Sequence, residues 1–333
     1  MSEIFTIFAN YFKFCDMIIY IDGERINPRT TAKDVSAVVS VEIPELKANK
    51  IISYGAFHQF VSLRSVFIPD MVTEIARGGF IGCKSLRYVD IGDKVELIDN
   101  YAFANCIALE SINIPDSVKR IGNEIFQNCI SLEEVKLSQS INEISKKAFE
   151  GCKSLKHIEI PEGVTKICAN AFSMCTSLET ITLPQSLIAI DKQAFCGCSS
   201  LKSVILPKSL IHIGADVFAR CKELKNISIP IGVEIIKSST FWGCKSLSSI
   251  ALHDKIKTIG KRAFYNCLSL ESIVIPKSVL HISDEAFFCC KNLSNVDFIS
   301  KDLRIGSRVF YSTNWYTDVK NQLFCRELLA KQN

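Results

Sequence analysis

Phenylalanine recurs at a fixed interval of 23 residues, and this period constrains the fold more than any other feature of the chain. Successive copies show no insertion or deletion between them. The residues in this register are Phe57, Phe80, Phe103, Phe126, Phe149, Phe172, Phe195, Phe218, Phe241, Phe264, Phe287 and Phe310. Repeats of about 20–50 residues are typical of solenoids, propellers and arrays, and a four-stranded propeller blade needs about 40 residues. The period therefore predicts a solenoid.

Other positions repeat in step with the phenylalanines. Leu lies six residues after Phe, Val or Ile nine after, mostly Ile or Leu eleven after, and Ile eighteen after. The segment Leu-x-x-Val-x-Ile predicts a short strand with alternate residues facing inward. Pro follows it in seven copies, as at Pro115, and ends the pairing because it cannot donate to a ladder. Val-x-x-Ile predicts a second extended piece, and Ala-Phe-x-x-Cys a turn or short helical piece on the outer side.

A single copy cannot fold by itself. Each 23-residue unit holds about eight apolar side chains, too few to offset the conformational entropy that ordering the unit costs. Neighbouring copies must therefore share a core and ladder hydrogen bonds, and stability becomes a sum over nearest-neighbour interfaces.

The repeat also resembles a known family. The segments "SVKRIGNEIFQNCISLEEVKLS" (117–138) and "KIKTIGKRAFYNCLSLESIVIP" (255–276) are similar to the BspA-like, or Treponema pallidum-type, leucine-rich repeats. The resemblance covers roughly residues 41–311 and implies a repeat solenoid of the leucine-rich-repeat type, with short parallel strands, 23-residue coils and helical or irregular end caps. It also implies the functions associated with that family, which are adhesion and protein binding, often at the cell surface.

Three regions follow along the chain. Residues 1–40 are apolar and irregular and are predicted to form an N-terminal cap; residues 41–311 form the leucine-rich repeat solenoid. Residues 312–333 carry a helical pattern of Val319, Leu323, Leu328 and Leu329 and are predicted to form a C-terminal cap helix. Caps are expected because the last core layer of a solenoid would otherwise face water.

The location suggested by the residues is cytoplasmic. The N-terminal apolar run is interrupted by Asn10, Lys13 and Asp16, unlike a standard signal peptide. Cysteines that are unpaired suit a reducing compartment. The alternative is the cell surface, which the family resemblance favours. Membrane association is not expected, except through the N-terminal segment.

Ten cysteines share the position three residues after Phe, and they invite a metal or redox interpretation. They are Cys83, Cys106, Cys129, Cys152, Cys175, Cys198, Cys221, Cys244, Cys267 and Cys290. Stacked copies place one thiol per coil in a line, whereas zinc prefers a tetrahedral cluster. Cysteine also behaves as a small apolar residue with a weak S–H donor. We therefore expect core packing, with no metal and no cofactor.

Catalysis is not expected either. Active sites usually lie on loops held by a scaffold, and this array has no loop insertions. One enzymatic alternative remains open: a cytosolic enzyme that uses His157 and the neighbouring Glu159, which share one predicted strand. No nucleophile or second carboxylate accompanies them in the pattern.

The remaining feature is a varied surface. Residues eight and ten places after Phe alternate with the inward strand residues and so face outward, and their types vary while the core is monotonous. The predicted partner-binding face consists of Tyr88, Asp90, Asn113, Glu134, Lys136, His157, Glu159, Thr180 and Thr182. We expect a non-enzymatic scaffold that binds a protein there. A solvated face without a partner is the alternative interpretation. Nucleic acid is not expected, because this face lacks a run of basic residues with interleaved aromatics.

Overall fold

The computed structural model describes residues 51–58, 60–298 and 303–330, together with the backbone of three strands between residues 19 and 42. The chain divides into two compact units, residues 1–163 and 164–333. Each unit is built from 23-residue coils with short parallel strands, which confirms the predicted solenoid. Most of the N-terminal cap predicted over residues 1–40 lies outside the described residues.

Strands of two to four residues form the first unit. They are β1 (Ile19–Ile21), β2 (Glu24–Ile26), β3 (Ser40–Glu42), β4 (Ile51–Ile52), β5 (Ser65–Ile68), β6 (Glu74–Ile75), β7 (Tyr88–Ile91), β8 (Leu97–Ile98), β9 (Ser111–Asn113), β10 (Arg120–Ile121), β11 (Glu134–Lys136), β12 (Glu143–Ile144) and β13 (His157–Glu159). β1 and β2 form an antiparallel hairpin, and β1 pairs antiparallel with β3. β3 begins the parallel ladder by pairing with β5.

Similar short strands, followed by one helix, form the second unit. They are β14 (Lys166–Ile167), β15 (Thr180–Thr182), β16 (Ala189–Ile190), β17 (His212–Ile213), β18 (Asn226–Ser228), β19 (Ile235–Ile236), β20 (Ser249–Ala251), β21 (Thr258–Ile259), β22 (Ser272–Ile275), β23 (His281–Ile282), β24 (Asn295–Phe298), β25 (Arg304–Ile305) and α1 (Val319–Ala330). One coil has only an isolated bridge, Ser203 to Asn226, where its neighbours have a longer strand.

From β4 onward, the parallel pairs join residues 23 positions apart, whereas the first pair, β3 with β5, joins residues 25 positions apart. Glu134 pairs with Ser111 in the first unit, and Thr258 pairs with His281 in the second. The strands that follow the repeated Leu form one face of each coil, which we call the strand face. The two-residue strands that end at the repeated Ile form another face. The strand-face strands alternate exposed and buried side chains, as the period-two pattern predicts.

The core is a stack of phenylalanine rings. All twelve ladder phenylalanines are fully buried. In the first unit successive rings lie with centroids 4.7 Å (Phe57–Phe80) to 5.8 Å (Phe103–Phe126) apart, and in the second the separations run from 5.1 Å (Phe264–Phe287) to 5.7 Å. Within each unit, each ring therefore covers the face of the next, and a coil removed from the stack would expose its neighbour's ring to water.

The Ala-Phe-x-x-Cys segments form turns, and no helix occurs there within the described coils. Residues two before and two after Phe adopt positive φ, with 17 non-glycine residues at φ values of 51–63° among those described. Their N–H groups donate to carbonyls of the following coil: Tyr101 to Asn123 at 2.9 Å and Asn105 to Gln127 at 2.7 Å. The turns thus add a further hydrogen-bonded ladder, which explains why the left-handed conformation is kept despite its steric cost.

The C-terminal end contains the predicted helix, but its buried face differs from the prediction. In α1 the buried residues are Cys325 and Leu328, while Val319, Leu323 and Leu329 are exposed. Only Leu328 of the four predicted apolar positions packs inward. Before the helix, Trp315 lies 4.8 Å from the Phe310 ring, the final ring of the stack. We propose that this segment caps the array.

Gly82 tests the cost of the left-handed turn. Its φ is +73°, and a Cβ placed there would meet no atom within 4 Å, so only backbone strain opposes a side chain. Gly82→Ala is expected to lower the free energy of unfolding by about 1 kcal/mol. Gly82→Asn should cost less, because Asn tolerates this conformation and occupies the same position at Asn105 and Asn128. Thermal unfolding midpoints followed by circular dichroism measure the difference, and equal midpoints for both variants would contradict it.

Candidate functional site

All nine residues of the predicted partner-binding face are exposed and lie on strand-face strands. Seven belong to the first unit: Tyr88 and Asp90 on β7, Asn113 on β9, Glu134 and Lys136 on β11, and His157 and Glu159 on β13. Thr180 and Thr182 lie on β15 in the second unit. The predicted exposure is confirmed, and the role of these residues in binding stays a prediction.

Four of the nine residues surround one open hollow of about 610 Å³ in the first unit. We call it the strand-face hollow. Its lining consists of Glu133, Glu134, Val135, Lys136, Leu137, Gln139, Lys156, His157, Ile158 and Glu159. Because β11 and β13 supply most of this lining, the hollow follows the seam between two successive coils.

The hollow coincides with an irregularity in the sheet. The ladder that joins β9 to β11 is not continued from β11 to β13 in the described part of this unit, and a similar interruption separates β7 from β9. Val135, at the centre of β11, is half-buried, whereas Ile112 and Ile158 at the same position of the adjacent coils are buried. The hollow therefore offers an apolar contact at its floor.

A sequence change accompanies the irregularity. Ser138 stands where most coils have Pro after the strand. It is fully buried, and its hydroxyl donates to the Val118 carbonyl at 2.6 Å while accepting from the Ser140 N–H at 3.1 Å. The buried hydroxyl is thus satisfied, and the turn beside the hollow is held by side-chain hydrogen bonds instead of a proline ring.

Charges of both signs form the rim. The 23-residue register places Glu134 beside His157, and Lys136 beside Glu159. The side chains of Glu134, Lys136 and Glu159 make no ion pair or hydrogen bond with any described residue. They are therefore available to groups from outside the chain.

Two rim residues were not among those predicted. Glu133 and Lys156 lie seven residues after Phe, and their side chains form an ion pair of 3.4 Å with more than half of each exposed. The signal in the sequence is opposite charge 23 residues apart, which also marks Arg87 with Glu110. Such exposed pairs contribute at most about 1 kcal/mol to stability, so this one can open to meet a ligand.

A second hollow of about 430 Å³ in the first unit lies at the turns and contains no predicted site residue. The Arg77 guanidinium carbon lies 5.1 Å from the centre of the Tyr101 ring beside it. Tyr54 and His58 also line it. We find no set of side chains there that indicates a particular ligand.

The enzymatic alternative can be placed on this geometry. His157 and Glu159 are both exposed on β13, two residues apart on one side of the strand. The side chains lining the strand-face hollow include no hydroxyl or thiol nucleophile. Throughout the described residues, no group of three His, Cys, Asp or Glu side chains is placed to hold a metal ion. A helix long and apolar enough to cross a membrane is likewise not found in that part of the chain.

The cysteine ladder is buried, as predicted. Within each unit the ladder thiols donate to the carbonyl of the Phe in the preceding coil, as Cys106 does to Phe80 at 3.1 Å and Cys221 to Phe195 at 3.2 Å. Burial raises the pKa of Cys106 to about 12, although the hydrogen bond from the Cys83 backbone lowers it slightly. The Cys106 thiol is therefore protonated at neutral pH and is a poor nucleophile. Outside the ladder, Cys168, Cys196 and Cys289 are half-buried.

Comparisons with known proteins agree with this geometry. The family described as "BspA type Leucine rich repeat region" matches residues 50–178, 119–246 and 211–323. A leucine-rich repeat protein from Bacteroides ovatus is 31% identical, with a TM-score of 0.60 over 82% of this chain and 84% of that chain. A leucine rich cell surface protein from Faecalibacterium prausnitzii is 29% identical, with a TM-score of 0.47 over 79% of this chain and 91% of the other.

A leucine-rich repeat protein of T. pallidum is 23% identical, with a TM-score of 0.34 over 69% of this chain and 83% of that chain. A comparison with curated protein sequences gave no match.

Thiol accessibility tests the packing of the ladder. In the native protein at pH 8, we expect iodoacetamide to modify Cys168, Cys196 and Cys289 at least about tenfold faster than Cys106 or Cys129, because only thiolates that solvent reaches are alkylated. Peptide mass spectrometry over a time course measures each site separately. Protein unfolded in guanidinium is the control, in which all these thiols should react. Equal rates in the native protein would show that the ladder is open.

Proposed function

Because the chain belongs to the BspA-type leucine-rich repeat family, we propose that it is a non-enzymatic protein that binds a protein partner at its strand-face hollow. The observation that carries this proposal is the hollow itself, in which an apolar floor at Val135 is bordered by the unpaired charges of Glu134, Lys136 and Glu159. Family members are commonly binding proteins or surface antigens, and this likeness supports the proposal.

The chemistry of the hollow defines the partner in outline. A protein interface typically combines an apolar centre with a polar rim, and the hollow has this arrangement on a small scale. A partner side chain that contacts Val135 would bring its own charges to the rim. Acidic groups would meet Lys136, and basic groups would meet Glu134 and Glu159. Because the rim carries charges of both signs, a partner is selected by the arrangement of its charged groups and not by its net charge.

The backbone around the hollow favours specific recognition. β11 is held on one side by its ladder with β9, and its coil belongs to a stack whose phenylalanines are fully buried. A backbone that is already ordered loses less conformational entropy on binding than a flexible loop does. The strand face therefore fixes the spacing of the Cα positions that a partner meets.

Location distinguishes two forms of this function. The free, buried cysteines favour a reducing compartment, and we propose that the protein meets its partner in the cytoplasm. The alternative is an adhesin at the cell surface that binds proteins of a host or a neighbouring cell, which the family relationship favours. Protease treatment of intact cells separates these possibilities, because only a surface protein would be cleaved. The cytosolic enzyme remains the least supported reading, and His157→Ala in an activity screen would expose it.

Charge reversal tests the hollow directly. The variant Glu134→Lys, Lys136→Glu, Glu159→Lys keeps the net charge within two of the original but inverts the rim pattern. We expect proteins captured specifically by the wild-type chain to be depleted about tenfold or more by the variant, since mismatched rim charges oppose docking. Quantitative mass spectrometry of affinity captures from the source organism gives the ratio.

A matched control reverses Glu223→Lys and Lys225→Glu, two exposed charges of the second unit. This control should capture the same proteins as the wild type. Identical capture by wild type, rim variant and control would remove the hollow from consideration as a binding site.

A further inference from the structure

Four successive coils of the second unit carry an aromatic residue directly after the ladder phenylalanine. These residues are Trp242, Tyr265, Phe288 and Tyr311, and we call them the aromatic strip. At the same position the described coils of the first unit have His58, Ile81, Ala104, Gln127 and Glu150. Since the turn accepts polar, small and charged residues at this position, packing does not require an aromatic one. The run of four aromatics needs another explanation.

Three rings of the strip, those of Tyr265, Phe288 and Tyr311, lie against one another. The Tyr265 and Phe288 centroids are 5.1 Å apart with the rings nearly parallel, and the Phe288 and Tyr311 centroids are 5.5 Å apart. Tyr316 continues the series 6.2 Å beyond Tyr311. The rings are half-buried, and half of Tyr311 is exposed. Because Phe288 is covered on both faces, its remaining accessible part is its edge, which carries the positive end of the ring quadrupole.

Arginines lie over these rings. The guanidinium carbon of Arg220 is 4.6 Å from the centre of the Trp242 ring, that of Arg262 is 5.8 Å from Tyr265, and that of Arg308 is 5.9 Å from Phe288. A guanidinium that stacks on a ring still has N–H groups at its rim, which can bind a carboxylate.

A buried acid fixes two of these arginines. Glu285 is only 6% exposed, accepts a hydrogen bond from Arg262 Nε at 2.6 Å, and forms an ion pair with Arg308. The hydrogen bond from Arg262 lowers the pKa of Glu285, so the carboxylate is ionised at neutral pH. Glu285 thus holds both Arg262 and Arg308 beside the rings. Its single negative charge balances only one of these two arginines, so one positive charge remains.

The turns around the strip are basic. Residues 216–222, 237–245, 261–268, 284–291 and 307–312 contain eight Lys and Arg but only three Asp and Glu. Of these acids, Glu285 is enclosed by arginines, and Asp284 accepts a hydrogen bond from the Ser307 N–H at 2.8 Å. Lys222, Lys245 and Lys291 share one position, three residues beyond the strip residue of their coil or its equivalent. The positive charge therefore runs parallel to the aromatic strip.

We propose that the aromatic strip is a docking surface for an acidic polypeptide segment that itself carries aromatic side chains. Trp, Tyr and Arg, which make up much of this surface, are the residues most enriched at the energetic centres of protein interfaces. A ligand's carboxylates match the excess of cations, and its rings can approach the exposed edges in the edge-to-face arrangement.

Single-stranded nucleic acid fits this surface less well. Bases bind by stacking on open ring faces, and here neighbouring rings and guanidinium groups occupy those faces. The proposal concerns residues different from those of the strand-face hollow, and either site can be tested while the other is intact.

The experiment uses the full chain and a labelled twelve-residue peptide of Glu-Glu-Phe repeats, with binding measured by fluorescence anisotropy. Comparison probes are polyglutamate of the same length, a Lys-Lys-Phe peptide and a dT12 oligonucleotide. We expect the Glu-Glu-Phe peptide to bind at least tenfold more tightly than each comparison probe, and to weaken as salt is raised.

Two variants separate ring contacts from charge. Tyr265→Gln with Phe288→Gln introduces the residue that Gln127 places at the same turn position, and should weaken peptide binding tenfold or more. Lys245→Gln with Lys291→Gln leaves the rings intact and should also weaken it. Ile81→Gln, at the same position of the first unit, is the matched control and should bind as the wild type does. If the first variant fails to fold by circular dichroism, the lysine variant and the probe comparison still decide the question.

Four results would overturn the proposal: no binding of the Glu-Glu-Phe peptide, equal binding of polyglutamate, tighter binding of dT12, or unchanged affinity in a folded Tyr265→Gln, Phe288→Gln variant. Equal binding of polyglutamate would reduce the strip to a general anion surface. Tighter binding of dT12 would assign it to nucleic acid.

Discussion

Every contact in each unit depends on two neighbouring coils meeting in the same register. The 23-residue step places Phe on Phe, Ile on Ile and turn on turn, so that one arrangement of side chains is repeated along the stack. The backbone ladders on two faces and at the turns use the same step. An inserted residue would shift all of these together, because stability in such an array is a sum of nearest-neighbour interfaces. This constraint explains why the core positions hardly vary, and it leaves the outward positions free to carry function.

That constraint also explains what could be predicted. The strands, the buried face of each coil and the burial of the cysteines follow from residue type and spacing, since apolar residues at fixed positions have only one way to share a core. The left-handed turns do not follow. Gly78 and Gly82 indicate such a conformation, but Glu124, Met174 and Glu285 do not, and they adopt it because their N–H groups donate to carbonyls of the next coil. Here the tertiary ladder overrides local preference.

The candidate site was predictable only in part. Exposure of Glu134 and His157 follows from strand alternation, whereas the hollow between β11 and β13 does not follow from it, and only Ser138 in place of Pro distinguishes this coil in the sequence. In α1 the pattern of Leu323 and Leu329 indicated a buried face, yet the segment packs through Trp315, Cys325 and Leu328. A single helix at the end of an array touches its neighbour on a narrow stripe, and periodicity alone does not choose which stripe. The aromatic strip is visible in the sequence, but it lies at turns, where strand alternation does not predict which side chains are exposed.

The two ends of the cysteine ladder show how a repeat can end without losing its hydrogen bonds. A ladder thiol donates a hydrogen bond to the Phe carbonyl of the coil before it. A thiol at this position therefore has a hydrogen-bond acceptor only where a preceding coil is present. In the first described coil of the series the position is Phe60, whose ring packs edge-on against Phe57 at 5.4 Å. In the last it is Thr313, whose hydroxyl donates to Phe310 of its own coil at 2.8 Å and accepts from the Tyr316 N–H at 3.1 Å. With Thr in place of Cys, the side chain bonds to its own coil and to the segment that leads into α1, and it does not bond to the preceding coil. The last coil is thereby joined to the C-terminal segment.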